Sequence, residues 1–507
     1  MVFRKIGTQG AGREEKHSSM PHVNRNGLML QGFEWYLPCD HTLWNRLAAL
    51  AGTLHDYGFT AIWLPPATKG AFGDRGAGYA LYDLYDLGEF NQKGSVPTKY
   101  GTKEEYIKCV HALQRAGLQV YADIVLDHMI GADEEETIDA MEVAAGNRTL
   151  PVSGEEEIRA WTRFTFPGRH GKYSDFVFDS TCFNGVDWDD RKKKHAIFLF
   201  QNHAWNGDVD TENGNFDYLM GADLDFSNRR LVNHLLDWGK WYLDTTNVDG
   251  FRLDAVKHIP SDFYRAFLPA MRSYSGKELF TVGEYWSADL SRLNRYLSLV
   301  DENMSLFDVP LHFSFYNASN DGYHFDLRRI FDNTLVCENP VHAVTFLDNH
   351  DTEVGQSLGS WVRDWFRPIA YALILLRSEG YPCVFYGDLF GIPAQNFQGV
   401  PELPMLMALR QSFAFGAEWD YPVSEHITGF TRPDTGLAVV LSAHGAGSVR
   451  MKVNQRFSGF RFADALGKIR ETVVIGADGS ATFPVNDGTL SCFVPEGQAP
   501  SAGGLLK

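Results

Sequence analysis

Cysteine is scarce in this chain, with six residues in 507: Cys39, Cys109, Cys182, Cys337, Cys383 and Cys492. They are scattered, without a Cys-x-x-Cys pair or metal-ligand spacing, which excludes a disulfide-stapled scaffold and points to free thiols in a reducing compartment. Long apolar runs are missing too, so no segment reads as a bilayer span. The N-terminal MVFRKIGTQGAGREEKHSS lacks the apolar stretch of a secretory signal, and the expectation is a cytoplasmic protein. Positive charge is in deficit: 46 Lys and Arg against 64 Asp and Glu give a formal net charge of -18. That field repels phosphate backbones and anionic lipid, so neither nucleic acid nor membrane is expected as a partner. A neutral ligand is the simpler inference, although the same charge also serves solubility alone.

What is present is ample apolar material, at 44% hydrophobic and 22% charged residues, enough for a large core. The length suits a barrel of roughly 250 residues or more with appended modules, two or three domains in all. Residues 1–24 read as a loose polar arm. Strand-like and helix-like periods then alternate. GLMLQGFEWY (27–36) is followed by Leu43, Leu47, Leu50 and Leu54 at helical spacing, FTAIWLPP (59–66) by a helical face over 102–116, and LQVYADIVLDH (118–128) is strand again. This alternation predicts a parallel α/β fold.

The pattern breaks off over 129–230 in a stretch rich in Asp, Asn, Gly and aromatics, too long for a structureless loop and therefore an inserted module or a functional excursion. It resumes with VDGFRLDAV (248–256), ELFTVGEYW (278–286), SLFDVPLH (305–312), AVTFLDNHD (343–351) and GYPCVFYGD (380–388). Eight strands with polar ends predict a closed (β/α)8 barrel over 25–128 and 231–416. Beyond it, short alternating runs predict an antiparallel β domain over 417–497, of sandwich type, and a tail over 498–507.

Three acids stand at strand ends, where barrel chemistry is assembled. Arg252 and Asp254 are two apart, so on a strand they point to one side, and the guanidinium is expected to hold Asp254 ionised. Glu284 is bracketed by Val282, Tyr285 and Trp286, whose desolvation favours its protonated form. Asp351 ends a third strand beside His350. Taken singly, such an acid is more often a cap, a salt bridge or a solvated rim group. Together, an ionised carboxylate and a raised-pKa acid at roughly 5 Å are what a retaining glycosidase needs. Spacing alone leaves a metal-dependent barrel hydrolase open.

The segments DIVLDH, GFRLDAVKH, GEYW and FLDNHD, in that order, resemble the conserved stretches of the α-amylase family of glycoside hydrolases (family 13). LQGFEWYLP, YDLYDLGEF, KYGTKEEY, AWTRFTFPGR, ENGNFDYLMGADLDF and FDVPLH are similar to its bacterial liquefying subgroup and their intracellular bacterial and fungal relatives. The resemblance runs from about residue 27 to 497. It implies Asp254 as nucleophile, Glu284 as acid/base and Asp351 as transition-state stabiliser. It further implies that Arg252 orients the nucleophile, that His128 and His350 bind hydroxyls of the sugar at the cleavage point, and that Tyr79 stacks beneath that sugar. Lys257 and His258 match the leaving-group side, with Trp286 adjoining.

Asp217, Asp223 and Asp225 in the excursion, with Asp127, form an oxygen-rich set that suits calcium or, equally, an acidic solvated loop. The resemblance favours calcium on Asp127, Asp217, Asp223 and the backbone carbonyl of His258, with a calcium-binding domain over 129–230. Asn184 and Asn206 occupy positions where relatives carry aspartates for additional calcium and sodium ions, so one structural calcium is expected and the extra metals are not. The implied activity is endo-hydrolysis of α-1,4 bonds in starch, glycogen or maltooligosaccharides by a monomer. A same-family transglycosylase and a catalytically silent glucan-binding protein remain as alternatives.

Overall fold

The computed structural model describes residues 26–501; the arm expected over 1–24 and residues 502–507 of the tail lie outside the described residues. Eight parallel strands close into a barrel: β1 (Met29–Gln31), β2 (Ala61–Leu64), β3 (Gln119–Ile124), β4 (Gly250–Leu253), β5 (Phe280–Gly283), β6 (Ser305–Phe307), β7 (Ala343–Thr345) and β8 (Tyr381–Phe385). β1 pairs with both β2 and β8, so no edge remains. All eight expected strands exist, though shorter than their apolar runs. DVPLH is not strand: Asp308 accepts from Leu311 N at 3.1 Å and caps the helix Val309–Asp321. Likewise, AVTFLDNHD leaves the sheet at Thr345, so Asp351 sits in a turn six residues beyond the strand it was expected to end.

Helices cover the barrel because their apolar residues recur on one stripe. Leu43–Asp56 buries Leu43, Trp44, Leu47, Ala51 and Leu54. Lys103–Arg115 starts at a capping box in which Thr102 Oγ1 accepts from Glu105 N while Glu105 accepts from Thr102 N, which satisfies two otherwise orphaned donors. Arg229–Thr246, capped by Asn228, buries Leu231, Leu235, Trp238 and Tyr242 against the strands.

The excursion after β3 is a seven-stranded sheet built from strands between His128 and Leu224. Its longest strands, Glu134–Ala144 and Glu156–Arg163, carry charge on the exposed face and Ala140, Ile158 and Ala160 on the buried one. Two further strands return it to the barrel: Asp223 on Ala222–Leu224 pairs with His128 on His128–Met129.

C-terminally, a six-stranded antiparallel sheet is accompanied by a two-stranded ribbon, Gly447–Lys452 with Ser480–Val485. The strand Leu437–Ser442 explains its unbroken apolar run: Leu437, Val439 and Leu441 face the barrel core, while Ala438 and Val440 face the domain's own core. A strand buried on both faces has no polar alternation to show. All six cysteines are free. Among the described residues no helix is long and apolar enough to cross a membrane.

Candidate active site

Strand register assembles the site. In the β4–β5 pair Leu253 lies opposite Gly283, so Asp254 and Glu284 are the next residues on adjacent parallel strands, roughly 5 Å apart at the backbone. In the β3–β4 pair Arg252 lies opposite Asp123. Gly250 permits this approach, since a Cβ there would fall 2.0 Å from Phe280 O.

One guanidinium ties the acids together. Arg252, fully buried, donates from Nη1 to Asp123 Oδ1 at 2.9 Å and to Asp254 Oδ1 at 2.7 Å, and from Nη2 to Glu284 Oε2. Its Cζ lies 4.8 Å from the centroid of the Trp63 ring, which covers it from water. Trp63 Nε1 and Tyr79 Oη donate to Asp123 Oδ2 at 2.9 and 2.7 Å, which completes a fixed polar layer under the rim.

Burial dominates the titration of this group. It pushes the Glu284 carboxyl from 4.5 up to about 7; Arg252 opposes the rise, while the Asp254 and Asp123 charges add to it. It pushes Asp123 up to about 6 despite Arg252. Asp351 is also raised well above the usual carboxylate range, by burial and then by Glu284. At about 7, the Glu284 carboxyl is poised between its protonated and ionised forms at neutral pH.

The remaining expected residues surround this pair. His350 stacks on Tyr79 at 4.8 Å and 10°, and Trp35 lies parallel to both at about 6 Å. Gln31 Nε2 donates to His350 Nδ1 at 3.1 Å, which leaves the proton on Nε2. That Nε2 is buried without a hydrogen-bond partner, 3.2 Å from Asp351 Oδ2 but unaligned with it. Burial holds the ring neutral. His128 is engaged differently, with Nδ1 3.0 Å from Asp127 Oδ2 and Nε2 2.9 Å from Tyr79 O. Burial would lower its pKa, yet the Asp127 hydrogen bond and charge raise it, so both nitrogens already serve the protein. Lys257 Nζ donates to Trp286 O at 3.1 Å and reaches Glu212 at 3.2 Å, while His258 Nδ1 donates to Phe216 O at 2.7 Å.

Asp127, Asp217 and Asp223 meet at the junction of barrel and inserted sheet, through the pairing of Asp223 with His128. Burial raises all three carboxyls, Asp217 to about 7, and neighbouring acids add to the rise at Asp217 and Asp223. The Oδ1 atoms of Asp127 and Asn184 are buried without a hydrogen-bond partner, the kind of acceptor a hard cation satisfies. Asn184 Nδ2 donates to Asp217 and Asp223 at 3.1 and 3.3 Å, and Asn206 Nδ2 donates to both Asp217 oxygens at 3.0 Å. The two asparagines therefore line this one cluster. Among the described residues no three His, Cys, Asp or Glu side chains converge closely enough to hold an ion alone, so amide and carbonyl oxygens must complete any coordination. Asp225 stands apart, 3.4 Å from His203.

Sequence reasoning missed Asp123, Trp35, Gln31 and Glu353. An acid in the middle of the apolar run VYADIV was a visible signal for Asp123. Glu353 Oε1 accepts from Trp35 N at 2.8 Å and Lys99 Nζ donates to Trp35 O at 2.8 Å, so the indole is clamped from both sides of its backbone; nothing local in the sequence announces that.

A closed parallel barrel whose C-terminal rim brings Asp254 and the raised-pKa acid Glu284 together on one arginine has the form of a glycoside hydrolase. The model of the α-amylase catalytic domain matches residues 52–472, and the chain belongs to the α-amylase family. It is 50% identical over 479 residues to an α-amylase of Geobacillus stearothermophilus, covering 93% of this chain and 87% of that one. It is 48% identical to a glucan 1,4-α-maltohexaosidase of Bacillus sp. (strain 707), covering 93% of each, and 41% identical to a cytoplasmic α-amylase of Escherichia coli (strain K12), covering 93% and 99%. Among solved structures, an α-amylase of Geobacillus thermoleovorans complexed with acarbose superposes with a TM-score of 0.60 at 19% identity, covering 92% and 97% of the chains, which attests the fold.

Proposed function

We propose that this chain is a retaining, endo-acting α-amylase that cleaves internal α-1,4 bonds of starch, glycogen or maltooligosaccharides. The observation that carries the reading is the single Arg252 guanidinium shared by Asp254 and Glu284, which holds the two acids on one side of the rim. Asp254 attacks the anomeric carbon while Glu284 passes its proton to the departing glycosidic oxygen. Glu284, now a carboxylate, then takes a proton from water, which attacks the same carbon and frees Asp254. His350 offers its unpartnered Nε2–H to a sugar hydroxyl, and Asp351 accepts from another. Tyr79 presents its ring to the apolar face of the pyranose. His128 fixes the Tyr79 backbone and meets the sugar only if its Nε2 leaves Tyr79 O. Lys257, His258 and Trp286 line the leaving-group side.

Calcium is assigned to Asp127, Asp217 and Asp223 with the His258 carbonyl, supported by the orphaned oxygens there. When bound it supplies rigidity at the seam of barrel and insert, and no step of the carboxylate chemistry requires it. The six free thiols, and the naming of the Escherichia coli relative as cytoplasmic, support a reducing compartment; the working unit is taken as a monomer. A time course of products from soluble starch tests the activity. A rapid fall in iodine staining with mixed oligosaccharides, slowed at least about a hundredfold in Glu284→Gln, supports it; elongated products, or release at an undiminished rate in the variant, overturn it.

A further inference from the structure

A cleft of about 560 Å³ lies outside the catalytic rim, at the seam between the barrel and the C-terminal domain. Its size falls within the roughly 300–1,000 Å³ of small-ligand sites, which favour such seams. One wall is Trp365, whose ring is half-buried and held in place because Nε1 donates to Ser319 O at 3.1 Å. Another is the loop 391–400, shaped by positive φ at Gly391, Asn396 and Gly399 and closed by a bridge between Ile392 and Phe397. Phe397 lines the cleft and is braced edge-on by Trp361 at 5.4 Å. Beside it Asn396 and Gln398 are exposed, and among the described residues their side-chain amides have no hydrogen-bond partner in the fold.

The cations of this cleft are already paired, and the one further charge on its lining is the Asp364 carboxylate, which accepts from Trp361 Nε1 at 3.4 Å. Arg367 is bound by Asp348 and Asp388. Lys468 from the C-terminal domain pairs with Glu402 of the barrel at 2.7 Å and donates to Thr489 at 2.8 Å. An anionic ligand would find no free cation here. Aromatic surface interleaved with free amides and a neutralised ion pair suits a neutral polyhydroxylated chain: carbon–hydrogen faces lie against rings, and hydroxyls meet amides.

We propose that this cleft is a second glucan-binding site, holding a short maltooligosaccharide stretch of a polymer whose cleavage takes place on the rim. The inference rests on the α-glucan reading above. It gives the C-terminal domain a function, because Lys468 and Thr489 help form the cleft, and it makes binding of long substrates bivalent.

The test compares wild type with Trp365→Ala and with a double variant of the exposed loop, Asn396→Gly with Gln398→Ala. Retardation in native gels containing glycogen reads total glucan binding, and initial rates on maltopentaose read the catalytic rim alone. Both variants are expected to lose retardation and to show KM on glycogen raised about three- to tenfold, the scale of one or two stacking contacts, while maltopentaose rates stay unchanged. Wild-type retardation and wild-type KM on glycogen in the double variant overturn the proposal, and that variant decides the matter if Trp365→Ala does not fold. If wild type leaves maltopentaose intact while the variants still lose retardation, the amylase reading falls and the glucan cleft stands.

Discussion

Replacing Glu284 by glutamine is expected to cut activity by orders of magnitude and, at alkaline pH, to make the protein more stable. Burial raises this carboxyl from 4.5 to about 7, so the folded protein retains a proton that the unfolded chain releases over that window. A folded state that binds the extra proton loses stability as pH rises from 4.5 through 7, and regains none above it. At about 1.4 kcal/mol per pH unit, the cost of an ionised Glu284 is on the order of 3 kcal/mol by pH 8. Glutamine has nearly the same shape and carries no charge, so it removes that cost.

Thermal unfolding of wild type and Glu284→Gln at pH 4.5, 6 and 8 measures the difference. The midpoint of the variant is expected to match wild type at pH 4.5 and to exceed it by several degrees at pH 8. Over the same range wild-type kcat/KM is expected to fall about tenfold per unit above pH 7, as the proton donor is lost. The variant is expected to lose about 10²- to 10⁴-fold in kcat at the optimum. A variant no more stable than wild type at pH 8, or equally offset at every pH, would refute a proton held by burial at this position.

Asp254→Asn is expected to lower kcat by at least about a thousandfold, the scale of removing a nucleophile, while Arg252 keeps Asp123 and Glu284 and the protein still folds; reducing-end release and circular dichroism check both halves. Asp123→Asn removes one of three acids from the Arg252 guanidinium, which keeps Asp254 and Glu284, and is expected to cost about 1.5–3 kcal/mol in denaturant melts, with a fall in kcat as Arg252 and Tyr79 are held less firmly. Chelation is expected to lower the thermal midpoint, and calcium at a hundredfold its dissociation constant to restore about 2.7 kcal/mol; Asn184→Asp, by adding a carboxylate to the cluster, is expected to raise calcium affinity in titration calorimetry.

The sequence by itself determined what depends on local period and local chemistry. Alternating apolar runs located all eight barrel strands, because each must bury its side chains whatever its neighbours are. Two residues of spacing placed Arg252 beside Asp254, since successive strand side chains alternate in direction. Their places at the ends of apolar runs and the family motifs singled out Asp254, Glu284 and Asp351, although Asp351 proved to lie in a turn six residues past its strand.

Tertiary structure alone decided which strands are neighbours and in what register. The alignment of Leu253 with Gly283 brings Asp254 to Glu284, and that of Arg252 with Asp123 anchors the arginine; hydrogen bonds between segments far apart in the chain set both, and neither segment encodes the offset. The same holds for the excursion, whose charged strands hid a sheet because their apolar face is thin, and for Asp223, which meets Asp127 only through pairing across the insert. Ionisation belongs to the fold as well. A lone Glu284 titrates near 4.5, and only burial among other acids moves it to about 7, because desolvation depends on what surrounds the carboxyl in space and not on the residues beside it in the chain.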